Sequence, residues 1–391
     1  MLAACGAEGG GTREIRRDSA GVQIVQNPPP DSGADRWWTL ASEPQLDVGT
    51  VEGAESQVLF GVIDAVRLED GRVVIAIAGN AQVRYYAPGG AHLVTSGGRG
   101  GGPGEFQRIT GLLRMSADSV AVLDGGVRRV TVLAPDGRFS RVVLAAPGAP
   151  VTVLGRRDDG TWVAHSNSLP RSNAVQQGPL RSNVVYVALP PGGGEVIDTL
   201  GQFPGPERVV RIAESGGTIT SINILTAPFA KTTTVVTAGN DLVVGTQDAA
   251  EVRIYNGEGD LRRIVRTGLP TQRVTPELID AYMKRRLDRV PAERQQAMRE
   301  SQLAILTAEV VPPYGALALD RSGNLWLQDF PGLADDQRWT IFDAGGARVA
   351  RMVLPRQFTP YDIGDDWILG RELDELDVEH VRLYAIHRSN E

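Results

Sequence analysis

Short apolar stretches alternate with glycine-containing turns along most of the chain. Two copies of one pattern are clearest, at residues 65–90 and 112–137. In each copy two apolar strands flank an acidic turn, and a third strand then ends in a turn rich in Pro, Asp and Gly. The two turns lie about 18 residues apart, which suits two five-residue strands and their connection. The pattern predicts one β-meander that is repeated along the chain.

The same turn types recur through the rest of the sequence. Inner turns of the acidic kind recur at residues 158–160, 239–241, 322–324 and 364–366, and outer turns follow most of them, at residues 190–192, 256–259 and 343–346. With the two clear copies, the inner turns number six. Six meanders predict an all-β fold, a six-bladed β-propeller with four-stranded antiparallel blades.

The last meander, residues 361–388, lacks a fourth strand before the chain stops. Residues 46–60 align with the outer strand and following loop of the first clear copy, residues 93–106. An N-terminal strand from residues 38–48 is therefore predicted to close the last blade, because closure removes an open sheet edge. Residues 21–25 are a candidate for a further edge strand.

The glycine-rich segment at residues 97–106, Gly-Gly-Arg-Gly-Gly-Gly-Pro-Gly-Glu-Phe, resembles the interblade segment GxxGxGPGxF of NHL-type six-bladed propellers. Together with the repeats, it is similar to secreted bacterial propeller lipoproteins over about residues 38–388. The resemblance is weaker in the third blade, where residues 166–177 displace the outer turn and residues 201–231 form a long connection. The resemblance implies one propeller domain that covers residues 13–391.

Residues 275–310 depart from the meander pattern, between the fourth and fifth blades. Thr275 reads as an N-cap and Pro276 as the first helical residue, and Pro291 ends the helix. A second helix is predicted over residues 292–307, with an apolar stripe that consists of Ala297, Met298, Ser301 and Ile305. Two interpretations remain: a helical hairpin that packs on the propeller, or a lid or partner-docking element.

Composition narrows the class of protein. The formal net charge is −7, and no stretch of the chain concentrates its basic residues, so nucleic acid is not an expected partner. No run of 18 apolar residues exists, so no membrane-spanning helix is predicted. Only two of the 40 basic residues are lysines, Lys231 and Lys284. We attribute this bias to codon usage rather than to anion binding by guanidinium groups.

The single cysteine, Cys5, excludes a disulfide framework and a CxxC metal site. Small residues before it and Gly6 after it resemble a bacterial lipobox, and residues 1–12 include a glycine-rich tether. The resemblance implies lipidation at Cys5 and a monomer in the bacterial cell envelope, facing the periplasm or the exterior, with membrane contact only through the anchor. The charged and apolar regions of a signal peptide are missing. A soluble cytoplasmic protein is expected if Cys5 is not lipidated.

Motifs that carry catalysis are missing from the sequence. The four histidines, His92, His165, His380 and His387, have no spacing that places two on one metal ion. The glycine-rich segment does not fit GxGxxG, and no serine lies in a GxSxG elbow. No catalytic residue, metal ligand or cofactor is predicted from these motifs.

Propeller geometry places a site on the axis, where the innermost strands and the loops that enter them converge. The candidate binding residues lie at or just before those strands or in the glycine-rich loop: Asp64, Arg99, Glu105, Arg108, Tyr314, Tyr361 and Asp362. A second interpretation is that these side chains satisfy backbone groups and hold adjacent blades in register.

Two functions remain open. The first is an envelope-tethered binding or scaffolding propeller that recognises an unidentified protein or small molecule at the channel mouth. The second, implied by related six-bladed propellers that hold a divalent cation on the axis, is a metal-dependent hydrolase, lactonase or lyase. In it Asp64 and Asp362 contribute to a calcium site. A calcium-dependent melting shift favours the enzyme, whereas a channel lined by Arg and Tyr favours binding.

Overall fold

The computed structural model describes residues 14–30, 36–115, 118–144, 151–166, 176–216, 218–288, 290–331 and 336–388. Short strands dominate these residues. The N-terminal segment supplies four strands and one 3-10 turn: β1 (Ile15–Ser19), β2 (Val22–Gln26), β3 (Trp37–Leu40), β4 (Leu46–Val48) and the turn Glu55–Gln57.

Two four-stranded antiparallel meanders follow, which we call the first and second meanders. Their strands are β5 (Val62–Arg67), β6 (Val73–Ile77), β7 (Gln82–Tyr86) and β8 (His92–Gly97), then β9 (Ile109–Arg114), β10 (Val120–Asp124), β11 (Arg129–Leu133) and β12 (Phe139–Leu144). The predicted turns connect these strands. Gly71 and Gly137 have φ values of 88° and 83° there, a backbone region that glycine enters without steric cost.

The third meander has the same antiparallel order, with a small separate sheet beside it. The meander consists of β13 (Val151–Arg156), β14 (Trp162–Ser166), β16 (Asn183–Leu189) and β17 (Asp198–Pro204), and the side sheet of β15 (Gly178–Leu180), β18 (Arg208–Ser215) and β19 (Thr218–Leu225).

Three further meanders complete the described chain, and two helices precede the fifth. The fourth meander has β20 (Thr234–Ala238), β21 (Asp241–Gly245), β22 (Glu251–Tyr255) and β23 (Leu261–Arg266). The helices are α1 (Pro276–Leu287) and α2 (Ala292–Leu303). The fifth and sixth meanders have β24 (Leu317–Leu319), β25 (Leu325–Gln328), β26 (Gln337–Phe342) and β27 (Arg348–Leu354), then β28 (Phe358–Ile363), β29 (Trp367–Leu373) and β30 (Glu379–His387).

The N-terminal strands pair with the last three meanders. Strand β4 pairs antiparallel with β30, which gives the sixth meander its fourth strand where the sequence predicted the closing strand. Strand β3 pairs with both β27 and β30 and joins the fifth and sixth meanders. Strand β2, within the predicted edge segment, runs parallel to β23 of the fourth meander.

Six clusters of buried apolar side chains lie between consecutive meanders. One cluster packs Val62 and Ile75 of the first meander against Leu369 and Leu383 of the sixth, so the series returns to its start. Strands such as β6 and β10 are buried along their whole length, because both faces of their meander are covered. The chain therefore has a mostly β, propeller-like fold.

The side sheet was not predicted. The sequence indicated a long connection over residues 201–231, whereas β18 and β19 form a hairpin there. Strand β19 is an edge strand, and all of its residues except Leu225 are exposed. Its apolar residues Ile219, Ile222 and Ile224 are separated by polar ones, and with little apolar burial the periodicity signal is weak.

The helices begin where the sequence predicted but differ at the end. The Thr275 side chain accepts a hydrogen bond from the backbone N–H of Leu278 (3.4 Å), as an N-cap does. Helix α2 stops at Leu303 rather than near residue 307, and the predicted apolar stripe is not its buried face. Met298 is exposed, and Ile305 lies beyond the helix, buried beside Val209 of β18. No helix in the described ranges is long and apolar enough to cross a membrane.

Candidate functional site

Asp64 lies on β5, where its carboxyl bonds two backbone groups. Its Oδ1 accepts from the N–H of Ala65 (2.8 Å) and its Oδ2 from the N–H of Leu112 on β9 (2.7 Å). The pKa of Asp64 is raised to about 7, mainly by burial. The neighbouring charge of Asp362 also raises it, whereas the two N–H donors act in the opposite direction. The carboxyl thus joins the innermost strands of the first and second meanders.

Asp362 joins the sixth meander to the first in the same way. Its Oδ2 accepts from the backbone N–H of Arg67 (2.8 Å), and Arg321 donates to the carboxylate through Nε (3.1 Å) and Nη2 (2.5 Å). The guanidinium groups of Arg67 and Arg321 lie 4.9 and 4.7 Å from the ring centroid of Trp367. Both oxygens of the Asp362 carboxylate therefore already have partners, in an ion pair with Arg321 and in a hydrogen bond from a backbone N–H.

Tyr361 is bonded to the first meander through its hydroxyl group, which donates to the carbonyl oxygen of Val62 (3.1 Å). The backbone N–H of Val62 donates to Glu379 Oε2 (2.9 Å), and Arg371 bonds the other oxygen of Glu379 (3.0 Å). Burial raises the pKa of Tyr361 to about 12. At neutral pH the phenol is therefore protonated and acts as a hydrogen-bond donor.

Tyr314 precedes β24 and is fully buried between the fourth and fifth meanders. Its hydroxyl group donates to the carbonyl oxygen of Glu251 (3.2 Å) and accepts from the N–H of Gln247 (3.3 Å). The Gln247 side chain returns a bond to the Tyr314 carbonyl (2.8 Å). Burial raises the pKa of this phenol, too. No surface of Tyr314 is open to a ligand.

Arg99 and Glu105 fold the glycine-rich loop between β8 and β9. Arg99 Nη2 donates to the carbonyl oxygen of Gly79 (3.2 Å), and Glu105 Oε2 accepts from the N–H of Gly102 (2.8 Å). Residues Arg99 and Phe106 also form a parallel β-bridge across the loop. Both predicted side chains therefore have structural partners.

Arg108 lies at the end of the same loop, directly before β9 of the second meander. Its backbone N–H donates to Asp124 Oδ1 (3.0 Å) and its Nη2 to the carbonyl oxygen of Gly125 (3.2 Å). Arg129, which the sequence pattern did not single out, donates to the carbonyl oxygens of Gly101 (2.9 Å) and Gly102 (2.7 Å). Its guanidinium group holds the loop against β11.

The structure brings only part of the predicted set together. Asp64, Tyr361 and Asp362 lie where the first and sixth meanders meet, the loop residues 99–108 lie between the first and second, and Tyr314 lies elsewhere. Within the described residues, no group of three or more His, Cys, Asp or Glu side chains is arranged to hold a metal ion. Cys5 lies outside the described residues.

A cavity of about 740 Å³ lies between α1 and one end of the fifth meander. The described part of its walls comes from α1, from the connections at residues 269–272 and 311–313, from residues 328–331 and 336–338, from Arg351 and Arg356, and from the N-terminal residues 29–30. Strand β25 ends at this edge and β24, its antiparallel neighbour, begins there. The cavity thus lies beside this end of the fifth meander, and none of the predicted site residues lines it.

Guanidinium groups dominate the charge of the cavity. Among the described residues, five arginines and two aspartates line it: Arg285, Arg286, Arg338, Arg351, Arg356, Asp329 and Asp336. This described part of the lining is cationic, although the chain as a whole carries a formal net charge of −7. Low-dielectric walls strengthen the field of such a concave charged surface.

Two of the arginines are paired with the lining aspartates. Arg351 lies 3.6 Å from Asp329 and Arg338 lies 3.3 Å from Asp336. The Arg351 guanidinium also lies 5.0 Å from the ring centroid of Trp37, which fixes its plane. Burial raises the pKa of Asp329, and Arg351 and Arg338 lower it.

Aromatic side chains also line the cavity. Tyr282 of α1 and Phe330 line the cavity with their ring centroids 6.4 Å apart. The buried ring of Phe229 packs against both, with its centroid 4.6 Å from that of Tyr282 and 5.8 Å from that of Phe330. The remaining lining is rich in proline, at Pro29, Pro30, Pro270, Pro312, Pro313 and Pro331. These rings form a rigid apolar surface without N–H donors.

The cavity was not predicted from the sequence, because its residues come from chain segments that lie far apart along the chain. One feature of the sequence belongs to it: Arg285 and Arg286 occupy the last turn of α1. That feature does not show which strand end the helix covers.

No family model matches the chain, and no curated protein matches its sequence. Among solved structures, the chain is similar to a Bacteroides fragilis protein described as a candidate exported protein, with 12% identity and a TM-score of 0.51 over 94% of this chain and 100% of that one. It is also similar to a DUF4221 family member from Bacteroides vulgatus (11% identity, TM-score 0.47, 90% of this chain and 99% of that one). Virginiamycin B lyase from Staphylococcus aureus is a third (10% identity, TM-score 0.43, 90% of this chain and 100% of that one). At such low identity the first likeness concerns the fold alone.

Proposed function

We propose that the chain is a six-bladed β-propeller of the NHL type, in which each meander is one blade. The cycle of six apolar clusters supports six blades, and the pairing of β4 with β30 supports closure by an N-terminal strand. The helices α1 and α2 are then an insertion between the fourth and fifth blades. Residues 13–391 form one domain in this proposal.

We further propose that the protein is anchored in a bacterial cell envelope through a lipid on Cys5. The support is the lipobox-like sequence at residues 2–6 and the glycine-rich tether after it. Labelled palmitate supplied to cells that express the full chain is expected to enter the protein and to be lost in Cys5→Ser. Equal labelling of both chains, or no labelling of either, contradicts the anchor.

The proposed function is binding of a small molecule in the cavity beneath α1. The observation that carries it is the cavity itself: about 740 Å³ with rigid aromatic and proline walls and convergent guanidinium groups. Ligand pockets have volumes of roughly 300–1,000 Å³ and combine an apolar lining with a few placed polar groups. The protein is expected to be a monomer that acts without a resident cofactor.

A blocked variant tests the cavity. Gln272 lines it and is exposed, so Gln272→Trp narrows the space without disturbing the core. Compounds from a small-molecule library that raise the melting temperature of the unaltered protein should lose that effect in Gln272→Trp. They should retain it in Gln202→Trp, which adds the same side chain on β17. Stabilisation that survives Gln272→Trp places the ligand elsewhere and refutes the proposal.

The second candidate is a divalent-metal-dependent hydrolase, lactonase or lyase that works on the axis. The observation that favours it is the close approach of Asp64 and Asp362, since the charge of Asp362 raises the pKa of Asp64. Both oxygens of Asp64 already accept backbone N–H groups, which weighs against a ligand role. A calcium-dependent rise in melting temperature that disappears in Asp362→Asn supports this candidate, and an unchanged melting temperature in millimolar calcium refutes it.

A further inference from the structure

A buried turn at residues 227–230 connects the side sheet to the fourth meander. The N–H of Ala230 donates to the carbonyl oxygen of Ala227 (3.3 Å), which closes the turn between β19 and β20. Its central residues are Pro228 and Phe229, and both are buried. Connecting segments usually run over the surface of a protein. A buried turn without polar side chains is therefore held by the residues that pack against it.

Phe229 has a backbone conformation that aromatic residues rarely adopt. Its φ is 56°, in the left-handed region. With Pro228 before it, Phe229 occupies the second central position of a type II turn, at which glycine or asparagine is preferred. Among the described non-glycine residues with positive φ, it is the only aromatic one. The Cβ atom makes this conformation unfavourable, so the contacts of the ring have to offset that cost.

The ring of Phe229 packs against two side chains of the cavity wall. Its centroid lies 4.6 Å from that of Tyr282 on α1 and 5.8 Å from that of Phe330, which follows β25. Phe229 is only 1% exposed and is not among the described residues that line the cavity. It therefore acts on the cavity through the rings of Tyr282 and Phe330.

The same turn also contacts the end of the helical insertion. Ala227 forms a small apolar cluster with Val209 of β18 and with Ile305, which lies just beyond α2. Ala227 and Phe229 are two residues apart in one closed turn, so the turn packs against both the end of the insertion and α1. The ring of Pro228 fixes the backbone between them and keeps these two contacts at a set separation.

The strain at Phe229 persists although a glycine at this position would remove it. Strained residues cluster at ligand-binding sites and in switch regions, where the surrounding structure holds them. On the basis of the binding function proposed above, we propose that Phe229 is a positioning residue, whose ring sets where α1 lies over the cavity and thereby the width of the binding site. Glycine at position 229 relaxes the backbone but leaves Tyr282 and Phe330 without the ring that supports them.

Amide hydrogen exchange measures the support of α1. In Phe229→Ala the amides of α1 should exchange tenfold or more faster than in the unaltered protein, because local opening is easier when the ring no longer packs against Tyr282. The amides of β25 should not change. Phe229→Leu keeps much of the apolar volume and should accelerate α1 threefold or more, which supplies the comparison if Phe229→Ala does not fold. Equal exchange of α1 in the unaltered protein and in the folded variants overturns the proposal.

A second buried phenylalanine provides the matched control. Phe203 packs between the third and fourth meanders, with its ring centroid 5.5 Å from that of Tyr186 and 5.1 Å from that of Tyr255. Phe203→Ala therefore also removes a buried ring that contacts other aromatic rings, and it should leave the exchange of α1 unchanged relative to that of β25. Acceleration of α1 in this control shows a general loss of stability rather than a loss of local support, and it overturns the proposal.

Fluorine NMR reports on the ring contact itself. The protein is labelled with 3-fluorotyrosine, and the resonance of Tyr282 is assigned by its absence from Tyr282→Phe. Because the ring of Phe229 lies 4.6 Å away, this resonance should shift in Phe229→Leu and stay in place in Phe203→Ala. A Tyr282 resonance that does not move in any folded Phe229 variant overturns the proposal.

The pair Phe229→Ala and Phe229→Gly isolates the backbone strain. Both variants lack the ring, and they differ only in the Cβ atom at a positive φ. The folding equilibrium constant from urea unfolding should be at least threefold larger for Phe229→Gly. An equal or larger constant for Phe229→Ala means that position 229 is not strained, and it overturns the proposal.

Binding measurements separate the role of Phe229 from the binding function. The probes are the library compounds whose stabilising effect is lost in Gln272→Trp, and their affinity should fall tenfold or more in Phe229→Gly and stay unchanged in Phe203→Ala. If these compounds bind Phe229→Gly as tightly as the unaltered protein, the cavity binds ligands but Phe229 does not position it. If no compound depends on Gln272, the binding function is wrong, and the exchange of α1 alone decides whether Phe229 positions the helix.

Discussion

Replacement of Asp64 by Asn is expected to change how the stability of the protein depends on pH. The pKa of Asp64 rises from its ordinary value of 3.8 to about 7, mainly through burial. At 1.36 kcal/mol for each tenfold change in proton affinity, the folded state favours the protonated carboxyl by about 4 kcal/mol. This is a large part of the roughly 5–15 kcal/mol that stabilises a typical domain.

The sign follows from proton linkage. Between pH of about 4 and about 7 the folded chain holds the Asp64 proton while the unfolded chain has released it. The free energy of unfolding therefore falls as the pH rises through this window, and the loss is complete above about pH 7. The amide side chain introduced by Asp64→Asn has no proton to release, so the variant lacks this loss.

Urea unfolding of the unaltered protein and of Asp64→Asn at pH 5, 6, 7 and 8 measures the effect. The difference in unfolding free energy should shift in favour of the variant by about 3 kcal/mol between pH 5 and pH 8, because this range covers about two of the three pH units between the pKa values of the unfolded and folded chain. Asp136→Asn removes one carboxylate from an exposed turn and should show the pH dependence of the unaltered protein. A difference between Asp64→Asn and the unaltered protein that stays constant from pH 5 to 8 refutes the reasoning.

Three further substitutions test the packing, the glycine-rich loop and the helix start. Trp326→Ala removes a fully buried indole whose ring centroid lies 5.9 Å from that of Trp38. Urea unfolding should show a free energy of unfolding lower by about 3–5 kcal/mol. Arg129→Met takes the donor from three loop carbonyls, those of Gly101, Gly102 and Glu105, so amide hydrogen exchange should accelerate within residues 97–106 and not in β25. Thr275→Ala removes the N-cap of α1, and urea unfolding should show a free energy of unfolding lower by about 1 kcal/mol. The control Thr232→Ala lies outside the helix and leaves the cap in place, so it should not show this loss.

Local chemistry explains which parts of the fold the sequence predicts. The inner and outer turns are specified by residues such as Gly71 and Gly137, whose conformation depends on a few neighbours, and the structure places a hairpin at each. The closing strand β4 also follows from the sequence, since a three-stranded last meander leaves an edge that needs a partner.

Other pairings depend on segments that are distant in the chain. Strand β2 runs parallel to β23 across more than 200 residues, and no local pattern marks that choice. The side sheet of β15, β18 and β19 buries little apolar surface, so its strands carry a weak signal. Arg351 and Arg285 line one cavity only because α1 lies beside the fifth meander.

The contacts of the predicted axial residues favour the proposed binding site beneath α1 over one among the innermost strands. Asp64, Tyr361 and Asp362 each bond the backbone of a neighbouring meander, so their replacement disturbs the contact between meanders. A ligand that competed for these groups would have to break those bonds. Arg286 on α1, in contrast, lines the cavity and is exposed. Residues of α1 can therefore vary without loss of the fold, which favours this helix as the element that sets the specificity of the proposed binding.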